Sequence, residues 1–98
     1  MIYLALDGDA VVGLVRLVGD GFSSVFVQDL IVLPSYQRQG IGSALMKEAL
    51  RDFKDAYRVQ LAIDQTEKNL EFYRSLGFET LSTYDCTGMI WVERKKIK

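Results

Sequence analysis

The segment from Gln37 to Ser43 carries the clearest chemical signal in the sequence. It reads Gln-Arg-Gln-Gly-Ile-Gly-Ser, follows an apolar run and leads directly into an amphipathic pattern. The first N–H groups of a helix lack internal partners and lie at the positive end of the helix dipole, so they attract anions. Gly40 and Gly42 have no Cβ to block an anion, and Arg38 adds a positive charge. The segment is typical of a phosphate or pyrophosphate cradle, although two glycines between a strand and a helix are also ordinary turn residues.

Two common glycine-rich phosphate motifs do not match this segment. A P-loop requires lysine and then serine or threonine after its last glycine, whereas Gly42 is followed by Ser43 and Ala44. The dinucleotide-binding fingerprint requires glycine or alanine at the sixth position counted from Gly40, and Leu45 occupies that position. The segment therefore belongs to neither class of nucleotide-binding loop.

Three further side chains could take part in chemistry, and each also has a purely structural interpretation. Asp29 interrupts an apolar strand. If Asp29 faces an active site, it would act as a general base or orient an amine. If it faces solvent, it is an ordinary polar residue in the alternating pattern of a strand. Tyr73 lies between Leu70 and Leu76 on one face of a helical pattern, as core tyrosines do. Cys86 has no histidine to activate it, and we interpret it as an incidental thiol.

The composition excludes several classes of function. The 98 residues contain no histidine and one cysteine, which excludes Ser-His-Asp and Cys-His nucleophiles, histidine-ligated zinc and an internal disulfide. Lys and Arg number 12 against 13 Asp and Glu, a balance unlike that of nucleic-acid-binding proteins. We interpret the basic run at residues 94–98 as a solvated tail. No apolar run approaches the roughly 18 residues of a membrane span, and the chain does not start as signal peptides do. We therefore predict a cytoplasmic protein that uses no metal and binds neither nucleic acid nor membrane.

The first half of the chain predicts a sheet followed by a helix. Three runs rich in Val, Ile, Leu and Phe are separated by Asp-Gly-Asp and Gly-Asp-Gly turns, and they predict an antiparallel meander over residues 2–6, 10–18 and 24–33. Pro34 offers no N–H to a sheet and ends the third strand. From Gly42 onward, apolar residues recur at helical spacing and predict an amphipathic helix of about four turns.

The second half predicts another helix between short strands. Asp64, with Glu67 three residues later, resembles a capping box that opens this helix, and Gly77 ends it. The flanking apolar runs predict three strands, the last two on either side of a turn at Gly88: residues 58–63, 78–82 and 89–93. The predicted order, β-β-β-α-β-α-β-β, describes a single α+β domain over residues 1–98. Its central sheet is mostly antiparallel and twisted, with the helices packed on it.

Two segments resemble motifs of the GNAT acetyltransferase superfamily. Residues 37–42, Gln-Arg-Gln-Gly-Ile-Gly, are similar to the family's Gln/Arg-x-x-Gly-x-Gly/Ala motif and follow a strand that ends in Val-x-Pro. Residues 69–78, Asn-Leu-Glu-Phe-Tyr-Arg-Ser-Leu-Gly-Phe, look like the family's second conserved segment. Both occur in the family's order on the expected elements, and the resemblance extends from about residue 2 to residue 92.

The resemblance implies an acyltransferase that moves the acetyl group of acetyl-CoA to an amine. Backbone groups in the loop before the first predicted helix, and at the start of that helix, would hold the pyrophosphate of the coenzyme: Arg38, Gln39, Gly40, Ile41, Gly42 and Ser43. A strand splayed from its neighbour would hydrogen-bond the pantetheine arm and the thioester carbonyl: Leu30, Ile31 and Val32. Asn69 would contact the arm from the other side, unless it only caps the start of its helix.

The resemblance also implies that Tyr73 is the general acid that protonates the departing thiolate. Asp29 is the candidate base. The attack of an amine on a thioester requires positioning, a donor at the developing oxyanion, a proton donor for sulfur and a route for the proton of the amine. A chain without histidine can supply all four, so the composition is compatible with this reaction.

One feature departs from the family pattern. Family members usually begin with a strand and two helices that form the wall of the acceptor site. Here Met1 almost directly precedes the first predicted strand, which matches the second strand of the family. We expect the first strand to be an exposed sheet edge, which a second subunit covers in a homodimer. The missing wall motivates an alternative function, a CoA-binding module with little or no turnover. A third possibility is a binding domain that recruits an acidic partner through its basic tail.

Overall fold

The computed structural model describes residues 1–93, which form one mixed sheet with two helices. The sheet follows chain order, β1-β2-β3-β4, over Ile2–Asp7, Ala10–Gly19, Ser24–Val32 and Arg58–Leu61. The first two neighbouring pairs are antiparallel and the third is parallel. Helix α1 lies between β3 and β4 in sequence and helix α2 follows β4: Ile41–Asp52 and Glu67–Ser75. The predicted α+β class with a mostly antiparallel sheet is confirmed.

The two last predicted strands are wrong. Residues 78–82 turn instead of extending, because the Thr83 N–H donates to the Thr80 carbonyl at 3.0 Å and the hydroxyls of Thr80 and Ser82 lie 3.0 Å apart. Such local bonds compete with sheet pairing, and a 3₁₀ turn follows over Leu81–Tyr84. Residues 89–93 have no regular structure and do not pair with the described sheet, which ends at β4. The basic tail lies outside the described residues.

The helix starts also differ from the sequence prediction. Helix α1 begins at Ile41, one residue early, and its 12 residues make slightly more than three turns. The N-cap of α2 is Thr66 and not Asp64, because the Thr66 hydroxyl accepts the Asn69 N–H at 3.1 Å. Asp64 contributes its backbone carbonyl instead, which accepts hydrogen bonds from the Thr66 N–H and the Asn69 side chain. The capping residue is therefore two positions later than the Asp64–Glu67 spacing indicates.

The hydrophobic core lies between α1 and one face of the sheet. Alternating strand residues and helically spaced residues of α1 meet there: Val15, Leu17, Val25, Val27, Leu45, Met46 and Ala49. At the end of α1, the Tyr3 hydroxyl donates to Asp52 at 2.7 Å and ties the helix to β1. The core and this bond fix the direction of α1, and hence where its N-terminus points.

Removing the Tyr3–Asp52 bond should weaken the fold and change its response to alkali. Burial, and then the bond to Asp52, raises the pKa of Tyr3 from 10.0 to about 12. A raised folded-state pKa gives stability that is complete below about pH 10 and is lost as the pH rises through about 12. Tyr3→Phe should lower the free energy of unfolding at neutral pH by about 1 kcal/mol. It should also flatten the alkaline decline, as urea denaturation at several pH values would measure.

Tyr57→Phe is the matched control, because the ring of Tyr57 is exposed. We expect it to leave both the neutral stability and the alkaline decline unchanged. A Tyr3→Phe protein that loses stability between these pH values as steeply as the wild type would contradict the assignment.

Candidate active site

Strand β3 has a neighbour on both sides along only half of its length. It pairs with β4 from Ser24 to Val27, and beyond that point no described strand lies on this side. In the pairing with β2, Arg16 lies opposite Asp29 and Leu17 lies opposite Val27, so Gln28 forms a β-bulge. Bulges bend a strand and re-aim the residues that follow. The edge of residues 28–32 away from β2 is therefore unpaired within the described chain, and the cleft is the space beside this edge.

The backbone of Leu30 and Val32 faces this cleft. The Leu33 N–H donates to a β2 carbonyl at 2.9 Å, and consecutive strand residues direct their amide groups to opposite edges. Leu30 and Val32 therefore point away from β2, whereas Ile31 points toward it. The Val32 carbonyl accepts the side-chain amide of Gln37 at 2.9 Å. Two of the three residues predicted on this strand thus present backbone groups to the cleft, and Ile31 uses its own in the sheet.

The start of α1 leaves three N–H groups without a partner in the described chain. Gly40 is the N-cap and offers no side chain to bond them. The first helical hydrogen bond runs from the Ala44 N–H to the Gly40 carbonyl at 3.0 Å. The N–H groups of Ile41, Gly42 and Ser43 precede it and point out of the helix end. Together with the helix dipole, they form the positive, donor-rich site that the sequence predicts.

The loop before α1 has an unusual backbone. Arg38 and Gly40 have φ values of +65° and +84°, both in the left-handed region. Such values are uncommon for a residue other than glycine and concentrate at functional sites. Gln39 braces the loop, because its side-chain amide donates to the Ser35 carbonyl at 3.3 Å. The exposed guanidinium of Arg38 bonds to no side chain or carbonyl among residues 1–93, which leaves its charge available to a ligand.

Gly40 and Gly42 serve different purposes. A Cβ on Gly40 would meet no atom within 4 Å, so only its left-handed φ requires glycine. A Cβ on Gly42 would lie 3.5 Å from the ring of Phe72 and 3.9 Å from the side chains of Leu30 and Val32. The expectation that Gly42 lacks a Cβ in order to admit an anion is therefore wrong, because that position faces protein. Gly42 instead marks where α1, α2 and β3 come together.

Tyr73 is held in place by the end of α2. The N–H groups of Gly77 and Phe78 donate to the carbonyls of Arg74 and Tyr73, a Schellman motif that uses the positive φ of Gly77, as predicted. The Tyr73 ring makes edge-to-face contacts with Phe72 and Phe78, at centroid distances of 4.9 and 5.8 Å. Burial raises the pKa of the Tyr73 phenol. The group therefore stays protonated at neutral pH and can donate a proton.

Tyr73 lines a cavity of about 260 Å³ between β4 and α2. Apolar side chains make up much of its wall: Val59, Leu61, Ile63, Leu70 and Phe78. Neither the open edge of β3 nor the start of α1 lines this cavity. The link between the two regions is Phe72, the neighbour of Tyr73, at the Gly42 contact. Phe72 is a site residue that the sequence analysis did not single out.

Asp29 lies on the face of the sheet opposite α1. Leu30 packs against the core, so its neighbour points the other way. The Asp29 carboxylate accepts a hydrogen bond from Nε of Arg16 at 2.7 Å, with side chains 37% and 44% exposed respectively. Asp29 is therefore neither buried nor freely solvated. Arg16 was missed by the sequence analysis, because the pair depends on a register that the bulge at Gln28 shifts.

Asn69 occupies the first turn of α2, where its side-chain amide donates to the Asp64 carbonyl at 3.0 Å. It thereby secures the loop from β4 into the helix. Within residues 1–93, no three acidic or cysteine side chains cluster as metal ligands would. No helix in this part of the chain has the length and apolar character needed to cross a membrane.

Residues 1–80 match the family model described as an acetyltransferase (GNAT) domain. This match covers more than half of the chain, so the protein belongs to the GNAT acetyltransferase family. The membership confirms the resemblance carried by residues 37–42 and 69–78.

The curated relatives that the chain matches are named as acetyltransferases and are longer. The chain is 32% identical over 88 residues to GCN5-related N-acetyltransferase 1, chloroplastic, of Arabidopsis thaliana, which covers 89% of this chain and 44% of the relative. It is 34% identical over 82 residues to histone acetyltransferase TAP1 of Glycine max, covering 82% of this chain and 34% of that protein. The chain thus spans less than half the length of these relatives.

Solved structures share the fold. A GNAT family acetyltransferase from Streptococcus pneumoniae is 84% identical, with a TM-score of 0.89 over 95% of this chain and 70% of that one. A GNAT family acetyltransferase from Elizabethkingia anophelis, with acetyl-CoA bound, is 23% identical and has a TM-score of 0.70 over 80% of this chain and 53% of that one. At that identity the second structure supports the fold alone.

The two glycines of the helix start should respond differently to alanine. Gly40→Ala forces a Cβ into the left-handed region and should lower the free energy of unfolding by about 1 kcal/mol. Gly42→Ala should change stability little, because its Cβ would find ordinary contact distances at a helical φ. Urea denaturation of both variants measures the difference. Equal losses of stability would contradict the separate roles assigned to them.

Proposed function

We propose that the chain is an acetyl-CoA-dependent N-acetyltransferase in which an amine attacks the thioester directly. One observation carries the proposal: the open edge of β3 lies beside the uncapped start of α1, where a Cβ placed on Gly42 would be 3.9 Å from the side chains of Leu30 and Val32. Two sets of unused backbone groups thus border one cleft. Membership of the acetyltransferase family supports acetyl transfer.

In this proposal the helix start binds the pyrophosphate of the coenzyme. The N–H groups of Ile41, Gly42 and Ser43 donate to its oxygens, with the helix dipole adding favourable charge. The backbone of Gln39 and Gly40 shapes the loop, and Arg38 contributes its guanidinium. Arginine suits this position because its planar fork matches phosphate oxygens.

The open edge of β3 receives the pantetheine arm and the acetyl group. Leu30 and Val32 supply the backbone groups that face the cleft, and Ile31 holds the strand against β2. An N–H of this edge donates to the thioester carbonyl oxygen as negative charge develops there. Asn69, on the α2 side, offers its side-chain oxygen to the arm while its NH₂ group stays bonded to Asp64.

The reaction needs one bond to form and one to break. The nitrogen of the amine attacks the thioester carbon, and the C–S bond breaks as the C–N bond forms. Tyr73, which is protonated at neutral pH, gives its proton to the departing thiolate, and bulk water later restores that proton. Asp29 accepts the proton released by the amine, directly or through a water molecule. Arg16 positions Asp29 through their ion pair.

The alternative, a CoA-binding module with little or no turnover, rests on the sheet face that carries Asp29. Within the described residues no element covers that face. Its apolar side chains are exposed: Ile2, Leu4, Leu6 and Ile31. A transferase must hold an acceptor beside Asp29. On this sheet face the described residues would contact the acceptor from one side only.

We also propose that the protein acts in the cytoplasm, without a metal ion and without a nucleic-acid or membrane partner. The composition supports this proposal through a net charge of −1 and the lack of histidine. The designation chloroplastic belongs to the name of the Arabidopsis relative.

The proposal predicts both acetyl-CoA binding and amine-dependent thiol release. Acetyl-CoA should raise the melting temperature, because a ligand that binds only the folded state stabilises it. With acetyl-CoA present, at least one member of a panel of arylalkyl, polyamine, aminosugar and peptide amines should accelerate thiol release above the rate of hydrolysis. Binding without turnover on any amine would favour the alternative, and the lack of a thermal shift would contradict both.

A charge-matched pair of variants tests where the coenzyme binds. Arg38→Ala should weaken acetyl-CoA binding about tenfold, which is typical of losing a charge-assisted hydrogen bond. Lys47→Ala removes the same charge from the exposed middle of α1 and should leave the affinity unchanged. Equal acetyl-CoA affinities of the two variants would contradict the binding of the pyrophosphate at the start of α1.

Removing the Tyr73 hydroxyl should slow the chemical step and spare binding. Tyr73→Phe keeps the ring contacts with Phe72 and Phe78. It should lower kcat by about a hundredfold or more, the typical contribution of a general acid, with the KM for acetyl-CoA unchanged. Steady-state kinetics give both constants. Tyr84→Phe, at an exposed tyrosine, should have no effect, and an equally active Tyr73→Phe enzyme would overturn the assignment.

A further inference from the structure

The loop that joins β3 to α1, residues 33–40, is held partly by bonds within itself. The Tyr36 N–H donates to the Leu33 carbonyl at 2.8 Å. The side-chain amide of Gln39 donates to the Ser35 carbonyl at 3.3 Å. Bonds of this kind give the β3–α1 loop a local shape, but they do not fix its place relative to the sheet.

The backbone of the β3–α1 loop needs further support at Arg38. Its φ of +65° lies in the left-handed region, where a residue other than glycine stays only if its surroundings hold it there. The Arg38 guanidinium bonds to no side chain or carbonyl among residues 1–93, so Arg38 does not hold itself. The support must therefore come from the residues on either side of it.

Within the described chain, two side chains of the β3–α1 loop bond to residues outside it. The side-chain amide of Gln37 donates to the carbonyl of Val32, five positions earlier at the end of β3, at 2.9 Å. The hydroxyl of Tyr36 donates to the carboxylate of Asp7, 29 positions earlier, at 2.5 Å. Tyr36 thus connects the loop to a part of the sheet that is remote in sequence.

Asp7 lies in a well-ordered part of the sheet. It is the last residue of β1 and is paired with Ala10, the first residue of β2. Gly8 and Asp9 form the two-residue turn that closes this hairpin. Because β2 also contributes to the hydrophobic core, the hairpin places the Asp7 carboxylate on a supported backbone.

The bond between Tyr36 and Asp7 is present at neutral pH. It raises the pKa of the Tyr36 phenol, because a carboxylate that accepts the hydrogen bond also disfavours a second negative charge beside it. The phenol therefore stays protonated and remains a donor. A bond to an ionised acceptor is also stronger than one between neutral groups.

We propose that Tyr36 is a positioning residue for the coenzyme: its bond to Asp7 holds the β3–α1 loop in the shape that presents Arg38 and the start of α1 to the pyrophosphate. This inference rests on the proposed function. A loop that already has its binding shape loses less conformational entropy when the ligand binds, which increases affinity. Tyr36 has no part in the proposed chemistry, so it should affect coenzyme affinity and not kcat.

Two variants at Asp7 separate the hydrogen bond from the charge. Asp7→Asn and Asp7→Ala both remove one negative charge, but only asparagine keeps a side-chain oxygen that can accept the bond from Tyr36. Asp7→Ala should bind acetyl-CoA about three- to tenfold more weakly than Asp7→Asn, the range expected for one lost hydrogen bond. Isothermal titration calorimetry measures both affinities. Equal values for the two variants would overturn the proposal.

Tyr36→Phe tests the other partner of the bond. The variant keeps the ring and should also bind acetyl-CoA about three- to tenfold more weakly than the wild type, with kcat at saturating acetyl-CoA unchanged. In the double variant with Asp7→Ala, the two losses of affinity should not add, because either change removes the same bond. Additive losses, or a lower kcat with unchanged affinity, would overturn the positioning role.

The wild-type chain distinguishes a failure of this inference from a failure of the proposed function. A wild type that does not bind acetyl-CoA would contradict the proposed function and this inference with it. A wild type that binds acetyl-CoA no more tightly than Tyr36→Phe and Asp7→Ala would leave the coenzyme site in place and overturn the role of Tyr36 alone. Far-UV circular dichroism would confirm that each variant is folded in the binding buffer.

Discussion

The structure depends on the point at which β3 loses its second neighbour. The bulge at Gln28 bends the strand, and β4 pairs no further than Val27, so the backbone beyond it has a partner on one side only. Polar backbone groups in a cleft must bond to something, and here they are left for water or a ligand. The start of α1 adds unused donors because Gly40 supplies no capping side chain. The site is thus built mainly from backbone groups that the secondary structure does not use.

Packing brings these groups together. Gly42 lies where the start of α1 faces Leu30 and Val32 of β3 and Phe72 of α2, with room for no more than a Cβ between them. Tyr73 follows Phe72 and is fixed by the Schellman motif that ends α2. A reaction that requires positioning, oxyanion donors and proton transfer, but no protein nucleophile, suits such a site. This accounts for the compatibility of a histidine-free chain with acetyl transfer.

The sequence predicted elements whose signals are local. Turn sequences located the meander, helical spacing located both helices, and Gly77 ended α2 as expected. Features that depend on distant partners were not predictable in this way. Residues 78–82 and 89–93 have a strand-like composition but do not join the described sheet, which ends at β4. The Arg16–Asp29 pair depends on a bulge that no composition reveals. The packing role of Gly42 required knowing that Phe72 lies against it.

An amide-resolved NMR titration with acetyl-CoA tests the central claim most directly, because the claim concerns individual backbone N–H groups. The account predicts that the largest shift changes occur at two places together, the open edge of β3 and the start of α1: Leu30, Val32, Ile41, Gly42 and Ser43. Gly13 and Leu14, in the paired part of β2, should change little. Changes concentrated along the outer edge of β4, or the lack of any change at saturating acetyl-CoA, would contradict the account.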